Sequence, residues 1–452
     1  MSYNILKYLC GFAIATMLIN CTSKLSFDID TPSLDKKDEA LLTRVQHETF
    51  DYFWKGGEQI SGAAPERIHM DEIYPAHPKE IVTSGGTGFG IMALIVGIER
   101  GFVTREAAVL RLTKLTSWLE QSDRHHGAWP HWLMPDGSTR PFSKYDDGGD
   151  LVETAFLAQG LLVARQYFLQ GSSSEQALAK RIDVLWRGVD WQWYTNDKNV
   201  LYWHWSPNNG WKMNFAVTGH NECLIMYVLA ASSPTHPIDP SVFHQGYMRG
   251  GDIVTDKTYY GLPTVFDHYA TDDKPVGPLF WSHYSHLGLD PRDLKDQYGD
   301  YWRLNLNHAQ INYRYCMKNP NNFKGYGPDN WGLTSSYSIK GYGTHSPSND
   351  LGVISPTAAL SSFPYTPKES MDFLRHMYAD QDSLVGVYGP YDAFSLEHHW
   401  YVKRYLAIDQ LTIPIMIENY RSGLIWDLFM SAPEIQQGLS SLGFTYKKLS
   451  TI

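Results

Sequence analysis

The chain has 452 residues, 43% hydrophobic and 19% charged, which is enough for one large core or for several domains. A formal net charge of −10 without any Lys/Arg-rich run excludes nucleic acid as a partner, because phosphate contacts need clustered basic residues. Aromatic residues are abundant, with 15 Trp and 29 Tyr, and many stand in polar, loop-like segments. This composition suits a neutral ligand better than an anionic one.

Residues 1–21 have the pattern of a lipoprotein signal peptide. A weakly basic start precedes an apolar stretch over 8–19, which is too short for a mature transmembrane helix. The stretch ends at Cys21 in a segment that resembles a bacterial lipoprotein cleavage box, so we expect Cys21 to be lipidated; an ordinary cleaved signal is the alternative. Residues 22–35 are predicted to be a tether and 36–452 a single catalytic domain. The expected location is the cell envelope, in the periplasm or at the outer-membrane surface, with the lipid as the only membrane contact and the protein a monomer.

Apolar residues recur at helical spacing from residue 36 onward. Strand alternation is confined to short pieces at 200–204 and 257–263, and loops such as 193–214 and 315–356 are long enough to carry function. The pattern predicts an all-α fold, an (α/α)6 toroid with long functional loops on one face; an α-solenoid is the alternative, but no fixed-period repeat supports it. The predicted helices cover 36–55, 88–100, 104–121, 150–169, 174–193, 214–231, 277–287, 298–318, 355–362, 367–379, 395–407 and 412–430.

The segment from 146 to 153 places four carboxylates in eight positions ahead of an apolar helix. Asp150 stands at the predicted helix start, where its side chain would accept free backbone N–H groups, and Glu153 would complete a capping-box-like pair. Helix capping is therefore one explanation of the acidity. Asp150 and Glu153 also share one helix face, so they are too close to act on opposite sides of a sugar. We predict that they bind sugar hydroxyls.

Glu222 is the single carboxylate in the apolar pattern over 214–231, beside His220 and Asn221. Burial without a charge partner raises a carboxyl pKa, as a general acid at neutral pH requires. A surface glutamate on an amphipathic helix is the alternative. The polar run of three residues between apolar flanks favours a buried acid, with His220 and Asn221 as substrate-binding residues.

Two aspartates are candidates for a general base. Asp409 precedes a long apolar run, where it could also serve only as a helix cap. Asp392 lies on a Gly/aromatic loop beside Tyr388 and is the rival base or a binding residue. Tyr420 and Arg421 follow the apolar run, and Arg421 either orients a carboxylate of the site or pairs with Glu418.

Several aromatic and histidine side chains in loop-like contexts are predicted to bind substrate. Aromatic faces pack on sugar C–H groups while neighbouring polar atoms take the hydroxyls. Packing beneath loops is the alternative, because large aromatic residues are usually highly buried. These candidates are Trp129, Trp203, Trp211, Trp281, His283 and Trp331.

The cysteine and histidine pattern gives no sign of a metal site. Cys223 and Cys316 lie in apolar helical patterns, so we expect buried free thiols rather than a disulfide. Zinc-type Cys/His spacings and a His-Glu-x-x-His motif do not occur in the sequence. We therefore predict that the protein uses no metal and no cofactor.

Six segments together resemble the glucoamylase-like proteins, and within them most closely the β-1,2-glucanases of glycoside hydrolase family 144, common as lipoproteins in Bacteroidetes. The resemblance spans about 36–445 and implies an (α/α)6 barrel, an inverting mechanism and β-1,2-glucan as substrate. It implies that Glu222 is the acid, that Asp409 best matches the base, and that Asp150 and Glu153 lie near the scissile bond. The segments are 218–222 (TGHNE), 278–291 (PLFWSHYSHLGLDP), 331–336 (WGLTSS), 388–394 (YGPYDAF), 408–410 (IDQ) and 417–426 (IENYRSGLIW).

Three other functions fit parts of the pattern. A glucoamylase-like hydrolase of another glucan linkage would keep every feature above. A polysaccharide lyase could use the His283, Tyr284 and His286 cluster as base, although basic residues are sparse in the candidate segments. A non-catalytic glycan-binding lipoprotein would keep only the aromatic residues. The choice between endo and exo cleavage stays open.

Overall fold

The computed structural model describes residues 33–74, 77–269, 274–379 and 381–446. The predicted signal peptide, the lipidation site at Cys21 and most of the predicted tether lie outside these residues. Within the described ranges, no helix combines the length and the apolar character that a membrane crossing requires.

Helices make up most of the described secondary structure, with short 3-10 turns at Trp193–Thr195, Arg249–Gly251 and Ser285–Leu287 and a π-helix at Val242–Tyr247. The α-helices are α1 (Lys36–Trp54), α2 (Ser84–Glu99), α3 (Arg105–Gln121), α4 (Leu151–Phe168), α5 (Ser173–Arg187), α6 (Leu224–Ser232), α7 (Phe280–His283), α8 (Tyr301–Lys318), α9 (Pro356–Leu360), α10 (Pro367–Ala379), α11 (Gln381–Leu384), α12 (Ala407–Gln410), α13 (Thr412–Arg421), α14 (Leu424–Met430) and α15 (Pro433–Ser441).

The strands are short and pair antiparallel, mostly as hairpins in the loops. Three pairings join distant parts of the chain: β1 with β15, β2 with β3, and β5 with β6. The strands are β1 (Arg67–His69), β2 (Val82–Thr83), β3 (Trp132–Leu133), β4 (Thr139–Arg140), β5 (Gly149–Asp150), β6 (His204–Trp205), β7 (Thr258–Tyr259), β8 (Leu262–Pro263), β9 (Ser335–Ser338), β10 (Gly341–Thr344), β11 (Val385–Gly386), β12 (Gly389–Pro390), β13 (Phe394–Ser395), β14 (Trp400–Tyr401) and β15 (Arg404–Leu406).

The core is a ring of inner helices that are buried on nearly all sides, including α2, α4, α6, α9 and α13. Amphipathic helices such as α1, α5, α10 and α15 pack outside them, which is the pairing that an α/α toroid requires. Glycines let α2 and α4 touch through their backbones: a Cβ at Gly160 would lie 2.0 Å from the carbonyl oxygen of Gly88. The predicted all-α toroid is confirmed.

Several predicted elements are confirmed and others are wrong. The helices predicted over 36–55, 104–121, 150–169, 298–318 and 367–379 are present, and no end differs by more than three residues. The helix predicted over 395–407 is instead the hairpin β13–β14 followed by β15, because His399 turns the chain in a left-handed conformation. The helix predicted over 214–231 begins only at Leu224, after a left-handed glycine at 219, so Glu222 lies in the turn before α6. The helix α15 was not predicted.

Candidate active site

A cavity of about 990 Å³ opens where the N-terminal ends of α2, α4, α6 and α12 meet. Its size and its mixture of aromatic and polar walls are typical of a small-ligand site. The loops around β1, β9, β10, β14 and β15 form the rest of the wall. The lining residues are Glu66, Arg67, His69, Asp71, His77, Thr83, His131, Trp132, Phe142, Glu153, Phe156, Trp203, Glu222, Phe280, Tyr284, Ser335, Tyr337, Ser338, Gly341, Tyr342, Thr344, Trp400, Tyr401, Val402, Lys403, Arg404, Leu406 and Ile408.

Glu222 reaches the cavity from the turn that precedes α6, and only 8% of the residue is exposed. The Ser285 hydroxyl donates a hydrogen bond to its backbone carbonyl and fixes the turn. No ion pair to the Glu222 carboxyl occurs among the described residues. Burial therefore raises its pKa to about 7. A carboxyl group of this kind holds a proton near neutral pH and can donate it, as a general acid does.

Asp150 lies directly beneath the cavity and is fully buried. One of its oxygens caps α4 by accepting the N–H groups of Val152 and Glu153 at 3.0 and 2.9 Å. The other, Oδ2, contacts Nδ1 of His131 at 2.9 Å and accepts the indole N–H of Trp203 at 3.0 Å. Burial alone would raise the pKa of Asp150, but the bond to His131 and its charge hold it below the usual value. Asp150 therefore caps a helix and positions two cavity side chains; it does not itself line the cavity.

Glu153 lines the cavity one helical turn above Asp150. Its Oε2 accepts the backbone N–H of Gly85 at 2.9 Å, so the predicted capping box with Asp150 does not form. The Nε2 atom of His131 lies 3.9 Å from Oε1 of Glu153. Burial raises the pKa of Glu153 to about 7, and the charge of Asp150 adds to this. Burial would lower the pKa of His131, but the charges of Glu153 and Asp150 raise it to about 10, so an imidazolium lies between two carboxyl groups.

Asp409 and Asp392 are both buried, at 2% and 3% exposure, and neither lines the cavity. The Tyr284 hydroxyl donates to Oδ1 of Asp409 over 3.2 Å, and the Tyr337 backbone N–H donates to Oδ2 of Asp392 over 2.7 Å. Each of the two carboxyl groups also acts on the pKa of the other, so the two side chains are neighbours in the core. The structure therefore brings the two candidate bases together as one pair. The Tyr284 side chain lies between Asp409 and the cavity.

Comparison with known proteins identifies the family of the chain. A family model described as "Putative glucoamylase" matches residues 214–433. An endo-β-1,2-glucanase from Chitinophaga pinensis, solved with sophorotriose and glucose, is 56% identical; the match covers 92% of this chain and 99% of that chain with a TM-score of 0.89. The chain belongs to the glucoamylase-like family.

A second relative and a more distant structure with the same fold are also similar to this chain. An exo β-1,2-glucooligosaccharide sophorohydrolase acting at the non-reducing end, from Parabacteroides distasonis, is 42% identical over 431 residues, which are 90% of this chain. The chain spans 58% of the length of that curated relative. An endo-β-1,2-glucanase from Talaromyces funiculosus in complex with sophorose is 10% identical with a TM-score of 0.63, covering 87% of this chain and 85% of that chain, and shares the fold alone.

The predicted tryptophans divide between the cavity and the core. Trp203 lines the cavity. Trp129 is fully buried and donates its indole N–H to the carbonyl of Leu119, and Trp331 is fully buried and donates to the carbonyl of Glu369. The placement of Trp129 and Trp331 in the cleft is therefore corrected: both pack beneath loops, as large aromatic residues usually do.

Trp211, Trp281 and His220 also lie away from the cavity lining. Trp211 packs edge-on against Tyr202 with ring centroids 5.6 Å apart. Trp281 stacks on His268 at 5.8 Å, and His220 packs against the same imidazole at 4.6 Å. His220 is buried, so its expected contact with substrate is corrected to a place in a histidine cluster behind Glu222.

Asn221 and His283 make structural hydrogen bonds and are absent from the cavity lining. The Asn221 side chain accepts the backbone N–H of Cys223 over 3.0 Å at the start of α6. His283 is buried, and its Nε2 lies 3.0 Å from the hydroxyl of Ser362. Both residues support the turn and the helix that present cavity residues.

The cavity lining also lacks three other predicted site residues, Tyr388, Tyr420 and Arg421. The two tyrosines pack against neighbouring aromatic rings. Arg421 forms an ion pair with Glu39 at 2.9 Å rather than with Glu418. The predicted polar cluster after the apolar run therefore joins α13 to α1 on the outside of the ring.

The structure adds charged cavity residues that the sequence analysis did not single out. Strands β1 and β15 pair Arg67 with Leu406 across almost the whole chain and bring Glu66, Asp71 and Arg404 to one wall. Arg404 bonds to Asp71 at 2.8 Å, and Arg67 lies 3.4 Å from Glu66. The long-range pairing of two very short strands places these charged side chains on one wall. A local sequence pattern does not predict such a pairing.

Two clusters have side chains with the chemistry of metal ligands, with donor atoms within 4.8 Å of one another: His220, His268 and His308, and His131 with Asp146 and Asp150. In the first, Nδ1 of His268 accepts the N–H of Gly277 over 3.1 Å, so the imidazole proton is on Nε2 and that nitrogen is not available as a ligand. The second cluster already holds an imidazolium. The absence of a metal and of a cofactor stays a prediction.

The predicted thiols are confirmed: Cys223 and Cys316 are free and buried.

Proposed function

We propose that the protein is a glycoside hydrolase that cleaves β-1,2-glucan and its sophoro-oligosaccharides with inversion of configuration. The observation that carries the proposal is Glu222, a buried carboxyl on the cavity wall whose pKa of about 7 allows it to donate a proton. The two β-1,2-glucan-hydrolysing relatives at 56% and 42% identity support the substrate class.

In this mechanism, Glu222 donates its proton to the departing glycosidic oxygen, and Asp409 accepts a proton from the attacking water. Glu153 and the imidazolium of His131 offer acceptors and donors for sugar hydroxyls. Trp203, held by Asp150, offers an aromatic surface to a sugar ring.

The experiment is product analysis after incubation of the full chain with linear β-1,2-glucan. We expect the native protein to release sophoro-oligosaccharides. Glu222→Gln and Asp409→Asn should each lower kcat at least about a hundredfold, because each variant loses a general acid or a general base. Glu106→Gln, on the exposed side of α3, is the control and retains full activity. Unchanged turnover in both site variants would refute the roles, and cleavage of β-1,3- or α-glucan in place of β-1,2-glucan would assign another linkage.

The cavity charges favour hydrolysis over a lyase reaction. A lyase needs a cation that neutralises a uronate carboxylate, whereas Arg404 and Arg67, two of the three Lys and Arg residues in the lining, each lie beside a carboxylate of this chain. A lyase would release unsaturated uronates that absorb in the ultraviolet, and that product from a uronate polymer would replace the present proposal.

We also propose that the protein is exported and held in the cell envelope by a lipid on Cys21. The sequence pattern of residues 1–21 supports this. Metabolic labelling with a fatty-acid analogue should mark the native chain and not Cys21→Ala. Label retained in Cys21→Ala, or a soluble native protein without label, would contradict the anchor.

A further inference from the structure

Tyr284 is the one side chain that joins the buried Asp409 to the cavity through a hydrogen bond in the described structure. Its ring is held between Phe89, Phe156 and Phe280, with centroids 5.1 to 5.6 Å away, so the hydroxyl has a fixed direction. Asp409 itself is absent from the cavity lining and is 2% exposed. A proton that leaves water in the cavity can therefore reach Asp409 through the Tyr284 hydroxyl.

Asp409 and Asp392 form a pair that needs one shared proton. Oδ1 of Asp409 accepts a hydrogen bond from the Tyr284 hydroxyl, and Oδ2 of Asp392 accepts one from the backbone N–H of Tyr337. The remaining oxygens, Oδ2 of Asp409 and Oδ1 of Asp392, are buried and have no hydrogen-bond partner among the described residues. Two ionised carboxylates can only accept hydrogen bonds, so a proton on one of the two groups is what lets these unpartnered oxygens bond to each other.

The surroundings of the Asp409 and Asp392 carboxyl groups favour a single proton on the pair. Burial raises the pKa of Asp392 to about 6, and burial with the charge of Asp392 raises the pKa of Asp409 well above its usual value. The other groups that act on Asp409 are the Tyr284 hydroxyl and the carboxyl of Glu66. The stronger rise is at Asp409, so we assign the shared proton to Asp409 and the negative charge to Asp392.

We propose that the base of this enzyme is a three-membered relay in which Tyr284 passes the proton of the attacking water to Asp409, and Asp409 passes its own proton to Asp392. The inference rests on the proposed hydrolysis. Tyr284 takes part in the reaction at the cavity, and Asp392 acts through Asp409 as the final proton acceptor.

The relay carries one proton from the attacking water to the carboxyl pair, while Glu222 gives one proton to the leaving oxygen. Water forms a bond to the anomeric carbon, and its proton goes to the Tyr284 oxygen as the Tyr284 proton goes to Oδ1 of Asp409. The proton on Oδ2 of Asp409 goes to Oδ1 of Asp392, so the pair ends neutral. The glycosidic C–O bond breaks, its electrons stay on the leaving oxygen, and that oxygen takes the Glu222 proton. One negative charge has moved from Asp392 to Glu222.

The test is a proton inventory, in which kcat of the full chain on β-1,2-glucan is measured in mixtures of H2O and D2O. The native protein should give a curved dependence on deuterium fraction, because several protons move together. Tyr284→Phe should lower kcat about a hundredfold with KM little changed and give a straight dependence, because the relay is interrupted. Asp392→Asn should lower kcat similarly and lose the fall in rate below about pH 6.

Tyr301→Phe is the matched control. Tyr301 is also buried and donates to a carboxylate, Oδ2 of Asp296 at 2.9 Å, but it is not part of the cavity lining. It should keep the native kcat and the curved inventory. If the native protein is active and Tyr284→Phe keeps the native kcat and the curved inventory, the relay alone is overturned. If the native protein does not cleave β-1,2-glucan, the proposed function is overturned and the relay with it.

Infrared spectroscopy tests the shared proton without relying on activity. The difference spectrum between the native protein and Asp409→Asn at neutral pH should contain the carbonyl band of a protonated carboxyl group. The absence of that band would show that the pair holds no proton and would overturn the relay as written.

Discussion

The Nδ1 atom of His131 lies 2.9 Å from Oδ2 of Asp150, and this contact joins the cap of α4 to the wall of the cavity. Asp150 is fully buried, so its charge is stabilised by few groups other than this imidazolium and the N–H groups that it caps. Asp146 and Glu153 face the same imidazole and add to its positive character. Three of the four carboxyl groups in the segment at 146–153 therefore act on His131, while Asp147 bonds to Ser206 and Asn208.

Replacing His131 with glutamine should destabilise the protein by about 3 kcal/mol, because it leaves the buried Asp150 without its cation. The folded pKa of His131, about 10, is above the unfolded value of about 6.5. Its stabilisation is therefore fully present below about pH 6.5 and is lost as the pH rises through about 10. Denaturant unfolding of both proteins at pH 6 and pH 9.5 measures the difference.

The control for this prediction is His376→Gln, at the protein surface, which should change stability little at either pH. A stability difference between native protein and His131→Gln that grows with pH would contradict the imidazolium at this position.

The value of kcat/KM should fall as the pH rises through about 7, because Glu222 must be protonated to act as the acid. Glu222→Gln should lower kcat by about 10²–10⁴ and lose that alkaline fall. Initial rates across the pH range measure both effects. A native profile that keeps rising above pH 8 would remove Glu222 from the acid role.

Gly85→Ala should impair the site through Glu153. A Cβ at residue 85 would lie 2.3 Å from Oε2 of Glu153, the atom that accepts the Gly85 N–H. We expect a loss of about 1–3 kcal/mol in unfolding free energy together with reduced kcat. Gly327→Ala is the control, since the nearest atom to its Cβ would be 3.9 Å away. Equal effects of the two substitutions would show that the contact at Gly85 does not matter.

The two core thiols should be inert in the folded protein. Burial raises the pKa of Cys316 to about 12 and that of Cys223 well above its usual value, so the reactive thiolate is scarce at neutral pH. Cys223 and Cys316 should react with a thiol reagent only after unfolding. Mass spectrometry of peptides from labelled native protein checks this, and rapid native labelling of either residue would contradict the burial.

Local patterns in the sequence were sufficient for the helices and for the residues at helix ends. The start of α4 at Asp150 and the cavity position of Glu153 follow from capping chemistry and from spacing along one helix. Glu222 stood out as one carboxyl between apolar flanks. Each of these signals lies within a few residues of the group that it identifies.

The rest of the site depends on contacts between distant segments, which a local pattern does not contain. The pairing of β1 with β15 places Arg67 and Arg404 in the cavity, and packing alone separates Trp203 at the cavity wall from Trp129 in the core. Asp392 and Asp409 are alternatives in the sequence because a local pattern does not show that the two carboxyl groups are neighbours in the fold.

The most direct test of the account is proton NMR of the sugar first released from β-1,2-glucan by the native protein. A glycoside hydrolase that inverts configuration releases the α-anomer from a β-linkage, which then mutarotates to the equilibrium mixture. We predict an initial excess of the α-anomer that is absent with Glu222→Gln. An initial excess of the β-anomer, or no cleavage of β-1,2-glucan, would contradict the account.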